Sequence, residues 1–342
     1  TLFRSIINQV AARAGAAPVI VEKDFWVCWA LGRIYGTAEV APHVVFKGGT
    51  SLSKVHGVIQ RFSEDIDPAV SPGALGFSEL SLNDAPSASA RRKQMQALAS
   101  ECERCVEARF QPVLEAAFRS ALGEPRPGSA WLNYEIDATA ATPNLLFTYP
   151  SALPQAGGYI AKLVKLEFGA LTNQQPTGRH RIEAMLATMT ETAPGTALAQ
   201  AFDDLQADVT ALALARTFWE KATILHAEFH RPPELPIRDR FARHYADFAA
   251  LWAHTGREEA LRRLDLLHDV VQHKSRFVAS GWANYASAQP GSFKLVPPTH
   301  RQVALEQDYT KMEPMFLTPP PAFDAVLVQP AAAERALNGR AP

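Results

Sequence analysis

The chain has 342 residues, of which 47% are hydrophobic and 20% charged, and its formal net charge is −1. This length suggests about two domains, and this composition excludes a disordered chain. The near-zero charge excludes a scaffold that binds nucleic acid through bulk positive charge, but it leaves room for a local basic groove. Three cysteines, an odd number, argue against a disulfide framework. No apolar run reaches the roughly 18 residues of a membrane span, so we expect a cytoplasmic protein with reduced thiols and no membrane contact.

The first half of the chain is predicted to combine helices and strands. Residues 5–35 show helical spacing of apolar residues, with a break at Pro18. A β-rich run over 43–47 ends at Gly48-Gly49, and a helix over 50–59 and a strand over 65–70 follow. The remaining predicted elements of this half are a helix over 91–122 and extended runs over 131–138, 145–149 and 159–168.

The second half is predicted to be mainly helical from Arg179 onward. The expected helices lie at about 196–230, 238–254, 257–273 and 301–312, and the Pro- and Ala-rich tail after Pro319 is expected to lie along the surface. The change of pattern near residue 175 predicts an α/β domain over 1–175 and a helical domain over 176–342. The expected fold is therefore α+β, with a mixed sheet flanked by helices and a mainly helical C-terminal domain.

Two acidic residues, Asp65 and Asp67, occupy alternate positions of a predicted strand. Side chains two positions apart in a strand point to the same side, so these carboxylates converge while Ile66 faces the core. Like charges at this spacing raise a carboxyl pKa unless a cation lies between them. Because Mg²⁺ prefers a few carboxylates plus substrate phosphates, the pair is a candidate metal site. A solvated strand edge is the alternative.

The Gly48-Gly49 turn leads from the preceding strand into a helix. Glycine allows the backbone to approach a ligand closely, and a helix N-terminus offers free N–H groups to phosphate. Thr50 and Ser51 add hydroxyl groups at the same point. A phosphate cradle and a metal pair in one strand–turn–helix–strand unit indicate nucleotide chemistry, whereas either alone could be an ordinary turn or surface pair.

These segments, Gly48-Gly49-Thr50-Ser51-Leu52-Ser53-Lys54 and Arg61-Phe62-Ser63-Glu64-Asp65-Ile66-Asp67, resemble the AbiEii/AbiGii family. That family comprises nucleotidyltransferase-like toxins of toxin–antitoxin and phage-defence systems, is related to the MenT toxins, and belongs to the polymerase-β-like nucleotidyltransferase superfamily. The resemblance implies a two-lobed enzyme whose helical domain completes the active-site cleft.

The resemblance also implies roles for individual residues. Asp65 and Asp67 match the family's metal-binding carboxylates, which would hold Mg²⁺ or, in its place, Mn²⁺. Lys221, on a predicted apolar helix stripe, matches the family's essential lysine, which would offset triphosphate charge. Asp247 matches its functional aspartate, which would position Lys221 or a nucleotide group. The nucleotide-binding set would be Gly48, Gly49, Thr50 and Ser51, with Ser63 and Lys54 near enough in sequence to assist.

The superfamily usually supplies a third carboxylate from a later strand. Glu167, which shares a strand face with Lys165 by alternation, is the first candidate, and Asp137 is its rival. The sequence leaves open which of the two completes the metal site, and a surface charge remains the alternative for both.

The implied function is Mg²⁺-dependent transfer of a nucleoside monophosphate from an NTP to an acceptor, the 3′ end of tRNA, which would block translation. The implied partner is an antitoxin, which could be a transcriptional regulator. Four arginines over 231–243 are the candidate RNA contact. The alternatives are transfer to a protein, and an inactive nucleotide-binding regulator, which Pro68 suggests because proline suits an edge strand.

Two further pairs give weak signals. Cys102 and Cys105 lack the second pair that a zinc site needs, and His226 and His230 lack the glutamate spacing of a metalloprotease helix. We expect both pairs to be structural.

Overall fold

The computed structural model describes residues 2–78, 87–138, 141–154, 160–171, 173–189, 205–278 and 280–339. The chain divides into two compact units. The first comprises Thr1–Val55 and Phe62–Leu212, and the second comprises His56–Arg61 and Ala213–Pro342. The first unit thus continues past residue 175, and the short segment before Asp65 belongs to the second unit.

A mixed seven-stranded sheet forms the centre of the first unit, as far as the described residues show. Its spatial order is β3-β4-β5-β2-β1-β7-β6. β1 pairs with β7 and β2 with β5 in parallel, and the other neighbours are antiparallel. The strands are β1 Val44–Lys47, β2 Asp65–Val70, β3 Leu132–Ile136, β4 Pro143–Phe147, β5 Val164–Glu167, β6 Thr177–Glu183 and β7 Gln206–Leu212.

Helices cover this sheet, and one of them is buried along almost its whole length. The described helices of the unit are α1 Leu2–Ala14, α2 Pro18–Gly36, α3 Gly48–Lys54, α4 Ala88–Cys105 and α5 Gln111–Leu122. In α2, Trp29 stacks on Phe147 of β4 with ring centroids 5.4 Å apart. Because α2 is apolar on nearly every side, it can pack only inside the unit.

In the second unit, the described elements other than loops, short 3₁₀ turns and one isolated β-bridge are α-helices. Its helices are α6 Leu214–Phe229, α7 Arg243–Ala253, α8 Arg257–Arg262, α9 Leu264–Phe277, α10 Thr299–Lys311 and α11 Phe323–Asn338. α11 packs against α7, where Phe323 and Tyr245 have ring centroids 6.1 Å apart. The α+β fold with a mixed sheet and a helical C-terminal part confirms the predicted fold class.

Among the described helices, none has the length and hydropathy that crossing a membrane requires.

Several element predictions were wrong in the middle and at the end of the chain. Arg179 lies in strand β6, and the helix expected over 196–230 begins only at Leu214, because β7 precedes it. Residues 196–204, and Tyr159 at the start of an expected strand, lie outside the described residues. The tail expected along the surface contains helix α11, with Pro330 inside it.

Candidate active site

The central strand β2 carries Asp65 and Asp67 on one face of the sheet. Its parallel register with β5 places Asp65 opposite Lys165 and Ile66 opposite Leu166. Since paired residues in a sheet project from the same face, Glu167 of β5 shares the face of the two aspartates. We call Asp65, Asp67 and Glu167 the acid face.

Burial and the neighbouring carboxylates act together on the pKa of Asp65. Burial, followed by the negative charges of Glu64, Asp67 and Glu167, raises the pKa of Asp65 to about 7, against the opposing charge of Lys23. The Lys23 ammonium lies 2.6 Å from a Glu64 carboxylate oxygen, so it neutralises that neighbour first. An added cation would stabilise the ionised form of Asp65.

The acid face fits a cation that brings part of its own coordination shell. Among the described ranges, no group of three or more His, Cys, Asp or Glu side chains is arranged as a complete metal site. Mg²⁺ needs only one or two protein carboxylates when substrate phosphates supply further oxygens. The hard oxygen donors of Asp65 and Asp67 suit that ion.

Both candidates for the third carboxylate contact the same lysine. The Lys165 ammonium lies 2.5 Å from Glu167 Oε1 and 2.9 Å from Asp137 Oδ2. Glu167 belongs to β5, whereas Asp137 follows the end of β3 and donates its backbone N–H to Thr142. Glu167 is therefore the candidate whose strand lies next to β2.

Gly48 is the glycine on which the geometry of the acid face depends. Its φ is +84°, in the left-handed region, and helix α3 begins at this residue. A Cβ at this position would lie 1.9 Å from Asp67 Oδ2. The carboxylate of Asp67 thus rests directly against the glycine backbone, and no other residue type leaves room for it.

The hydroxyl groups after this glycine are turned inward. Thr50 is buried, and its hydroxyl lies 2.5 Å from the carbonyl oxygen of Asp65 and 3.1 Å from that of Ser63, either of which it can donate to. Ser51 is also buried, and its hydroxyl has no hydrogen-bond partner among the described residues. In this conformation Thr50 joins the first turn of α3 to the start of β2.

Lys54 is committed to a buried contact inside the first unit. Its ammonium pairs with Asp24 and donates to the carbonyl oxygen of Glu183 over 3.1 Å. The second Asp24 oxygen accepts the backbone N–H of Met185 over 2.6 Å. Lys54 therefore ties α3 to α2 and to the end of β6.

The charged run Glu22-Lys23-Asp24 was missed as a site feature in the sequence. All three residues are buried, and each fixes a different segment. Glu22 accepts the Ser151 hydroxyl and the Ala152 N–H over 2.8 and 2.6 Å, while Lys23 and Asp24 make the contacts given above. Three consecutive charges inside an apolar helix are the signal that could have revealed them.

In the second unit, the structure brings Lys221 and Asp247 together. The Lys221 ammonium lies 2.7 Å from Asp247 Oδ2, and Asp247 has 0% of its surface exposed. Arg61 binds the same carboxylate with two N–H groups, Nε to Oδ1 over 2.8 Å and Nη2 to Oδ2 over 2.9 Å. Arg61 received no role from the sequence, although it stands only four residues before Asp65.

Arg61 and Lys221 both act on the ionisation of Asp247, the carboxylate that they share. Burial alone would raise the pKa of Asp247, but Arg61 and Lys221 hold it well below its usual range. Burial lowers the pKa of Lys221, against the attraction of Asp247. Burial and the charge of Lys221 also lower the pKa of His244 well below its usual range, so this imidazole is neutral and its Nδ1 faces Lys221 Nζ at 3.1 Å.

The Arg61–Asp247 pair borders a cavity of about 430 Å³ within the second unit. Apolar walls come from Val58, Phe316 and Val326 among others. Arg61 and Asp247 thus form part of the wall of this cavity.

The remaining sequence candidates have ordinary structural roles or partial exposure. Cys102 and Cys105 are buried free thiols. His226 is bound on both ring nitrogens, by Lys294 N–H at 3.1 Å and by Ser287 Oγ at 3.0 Å. Of the four arginines, Arg238 is exposed, whereas Arg231 lies over the Trp282 ring at 5.3 Å.

The chain is similar to known proteins in sequence and in structure. A family model described as "Nucleotidyl transferase AbiEii toxin, Type IV TA system" matches residues 29–329. No curated protein sequence matches the chain. Among solved structures, the chain is similar to MenT4, nucleotidyltransferase toxin Rv2826c from Mycobacterium tuberculosis H37Rv, with 18% identity and a TM-score of 0.42 over 96% of this chain and 94% of that chain. Because the family match covers most of the sequence, the chain belongs to the AbiEii family of nucleotidyltransferase toxins of type IV toxin–antitoxin systems.

Proposed function

We propose that this nucleotidyltransferase transfers a nucleoside monophosphate from an NTP to the 3′ end of tRNA and thereby blocks translation. The observation that carries the proposal is the placement of Asp65 and Asp67 on one face of β2, with Asp67 resting against Gly48. Two converging carboxylates suit a Mg²⁺ ion that also binds substrate phosphates, and the adjacent Gly-Gly turn allows the backbone to approach those phosphates closely. The tRNA acceptor comes from the resemblance of the motifs to the family.

Asp65 and Asp67 would hold Mg²⁺, and Glu167 is the proposed third ligand. Bound there, the ion would neutralise phosphate charge during the transfer. The acceptor hydroxyl would lose its proton to solvent and attack the α-phosphorus; a new P–O bond would form and the bond to pyrophosphate would break. Gly48 holds open the space that the Asp67 carboxylate occupies, so the ligand geometry exists before substrate arrives.

The β- and γ-phosphates are proposed to meet the backbone of Gly48, Gly49, Thr50 and Ser51. Because the Thr50 hydroxyl is already bonded to backbone, we assign this contact to N–H groups rather than to that hydroxyl. Lys221, which matches the essential lysine of the family, is the proposed cation for the triphosphate. Asp247 and Arg61 would position its ammonium.

The RNA is proposed to contact the segment over residues 231–243, with exposed Arg238 as its first phosphate partner. A chain with a net charge of −1 can neutralise only a few phosphates. The toxin–antitoxin assignment implies an antitoxin partner. That this antitoxin is a DNA-binding regulator stays a prediction.

The acceptor can be identified by incubating the purified chain with Mg²⁺, each α-labelled NTP in turn, total RNA and a protein mixture. The proposal expects a labelled band at tRNA size, absent with Asp65→Ala. A labelled protein band instead would favour transfer to protein. NTP binding without any labelled product would favour the inactive regulator.

The structure bears on the inactive regulator through Pro68. Proline was expected to mark an edge strand, but β2 is central. Pro68 pairs with Phe46 of β1, and its carbonyl accepts the N–H of Gly169 over 3.1 Å. The strand continues through the proline and keeps both aspartates on one face, which supports the active enzyme.

A further inference from the structure

Lys165 is a cation on the acid face that the proposed function does not use. It lies opposite Asp65 in the parallel register of β2 and β5, so its side chain projects from the same face as the two aspartates. Its ammonium contacts carboxylates from two different strands, Glu167 on β5 and Asp137 after β3. The position of Lys165 therefore makes it a neighbour of any cation bound there.

A lysine ammonium and a divalent cation compete for the same carboxylate. Glu167 cannot satisfy both at short range, because two positive charges a few ångströms apart repel each other strongly at a partly buried site. The side chains of Lys165, Glu167 and Asp137 are 21%, 29% and 23% exposed. They are open enough for Glu167 to turn and for the ammonium to shift.

Asp137 gives the ammonium a second place to bind. It lies 2.9 Å from Lys165 Nζ and directly follows β3, the third strand from β2 in the sheet, beyond β5 and β4. A lysine that served only to neutralise Glu167 would not need this second carboxylate. The pair of acceptors suits a lysine that exchanges one partner for the other.

We propose that Lys165 is a built-in counter-ion of the acid face. Without a divalent cation its ammonium neutralises Glu167; when the cation binds, Glu167 turns toward it and Lys165 stays with Asp137. This assigns the third metal ligand to Glu167 and makes Asp137 the residue that positions Lys165. The inference rests on the proposed function, in which Asp65 and Asp67 are the principal ligands.

The test is Mn²⁺ binding to the full chain without nucleotide, read by electron paramagnetic resonance of the free ion. Lys165→Met removes the competitor and should tighten binding on the order of tenfold. Asp137→Asn leaves the ammonium with Glu167 alone and should weaken binding by about threefold or more. Lys93→Met, an exposed lysine of the same unit, should change nothing.

Unchanged or weaker Mn²⁺ binding by folded Lys165→Met would overturn the inference. Tighter binding by Asp137→Asn would also overturn it, because Asp137 would then oppose cation binding instead of holding Lys165 away from Glu167. If Lys165→Met does not fold, Asp137→Asn decides alone: weaker binding supports the counter-ion and unchanged binding refutes it. Wild-type binding that Asp65→Asn abolishes, but that Lys165→Met leaves unchanged, removes only this inference. If the wild type shows no Mn²⁺ binding that Asp65→Asn abolishes, the metal part of the proposed function is wrong as well.

Discussion

At the residue scale, Gly48 and Asp67 constrain each other across β1 and β2. Position 48 needs glycine for two separate reasons, because its φ is +84° and because a Cβ would overlap the Asp67 carboxylate. The first reason concerns the backbone and the second concerns the acid face. A pair of alanine substitutions can separate them.

Gly48→Ala should reduce nucleotidyl transfer on the order of a hundredfold, because displacing Asp67 misplaces a ligand by about an ångström. It should also lower the free energy of unfolding by about 1–3 kcal/mol, from backbone strain and overlap. Gly15→Ala is the control, since Gly15 has a φ of +64° with no atom within 4 Å of an added Cβ. It should lose some stability and keep full activity. Wild-type transfer by Gly48→Ala would show that the Asp67 position does not matter.

Asp247 holds two cations at once, because its carboxylate pairs with both Arg61 and Lys221. Asp247→Asn would leave two buried cations without it, and should lower the free energy of unfolding by about 3–5 kcal/mol. Lys221→Met leaves the bidentate Arg61–Asp247 pair intact, so it should cost clearly less stability while still abolishing transfer. Urea unfolding of the two variants, alongside a transfer assay, makes the comparison. Equal stability losses would contradict this account of the cluster.

The sequence predicted the acid face better than it predicted the partners of these residues. Alternation alone places Asp65 and Asp67 together, and the structure has them so. Arg61 on Asp247, and Lys165 between Glu167 and Asp137, depend on strand register and on contacts across up to 186 positions of sequence. Such pairings leave no periodic signal in the chain.

At the element scale, helix α6 is joined to the segment after α9 through His226. The Nδ1 atom of His226 accepts the backbone N–H of Lys294, so the ring proton must reside on Nε2. This nitrogen faces the Asn284 carbonyl oxygen and Ser287 Oγ. Burial, and then the nearby His230, lower the pKa of His226 to about 4. Protonation of Nδ1 would break the bond to Lys294.

This arrangement predicts an acid-sensitive second unit. A histidine whose folded pKa is lowered binds protons better when unfolded, so its stabilising effect is complete above pH 6.5 and is lost as the pH falls toward 4. The loss should be about 1–2 kcal/mol after allowance for partial solvation. Thermal unfolding between pH 7.5 and 5 should show a smaller shift for His226→Gln than for the wild type. His300→Gln, at an exposed site, should behave like the wild type, and identical slopes for all three would refute the assignment.

The element predictions failed where burial came from pairing rather than from pattern. Strand β6 has only Ile182 buried, and its other positions are polar, charged or glycine, so its sequence shows no clear alternation of apolar and polar residues. It is a strand because all of its residues, from Thr177 to Glu183, pair with β7, which lies more than twenty positions later in the sequence. Exposed and buried residues alternate along most of β7, from Gln206 to Leu212, but the helix predicted over 196–230 included these residues. The helices with an apolar stripe, such as α7 and α10, were predicted to within about five residues.

At the scale of the whole molecule, the family match over residues 29–329 includes parts of both compact units. The near-neutral chain limits how strongly it can attract RNA. If the proposed RNA contact is right, Arg238→Glu should raise the KM for tRNA about threefold or more and leave the KM for NTP unchanged, because it would remove one proposed phosphate contact. Steady-state kinetics at two salt concentrations test this. An equal rise of both constants would place Arg238 at the nucleotide instead.

The central claim is that Asp65 and Asp67 together carry out transfer to RNA. The most direct measurement is single-turnover transfer of label from α-labelled NTP to purified tRNA in the presence of Mg²⁺. The wild type is compared with Asp65→Asn and Asp67→Asn, after each variant is shown to be folded by an unfolding transition like that of the wild type. The account predicts that tRNA gains label with the wild type and that either variant loses at least a thousandfold in rate, on the order of the charge stabilisation removed. Transfer at the wild-type rate by a folded Asp65→Asn or Asp67→Asn protein would contradict it.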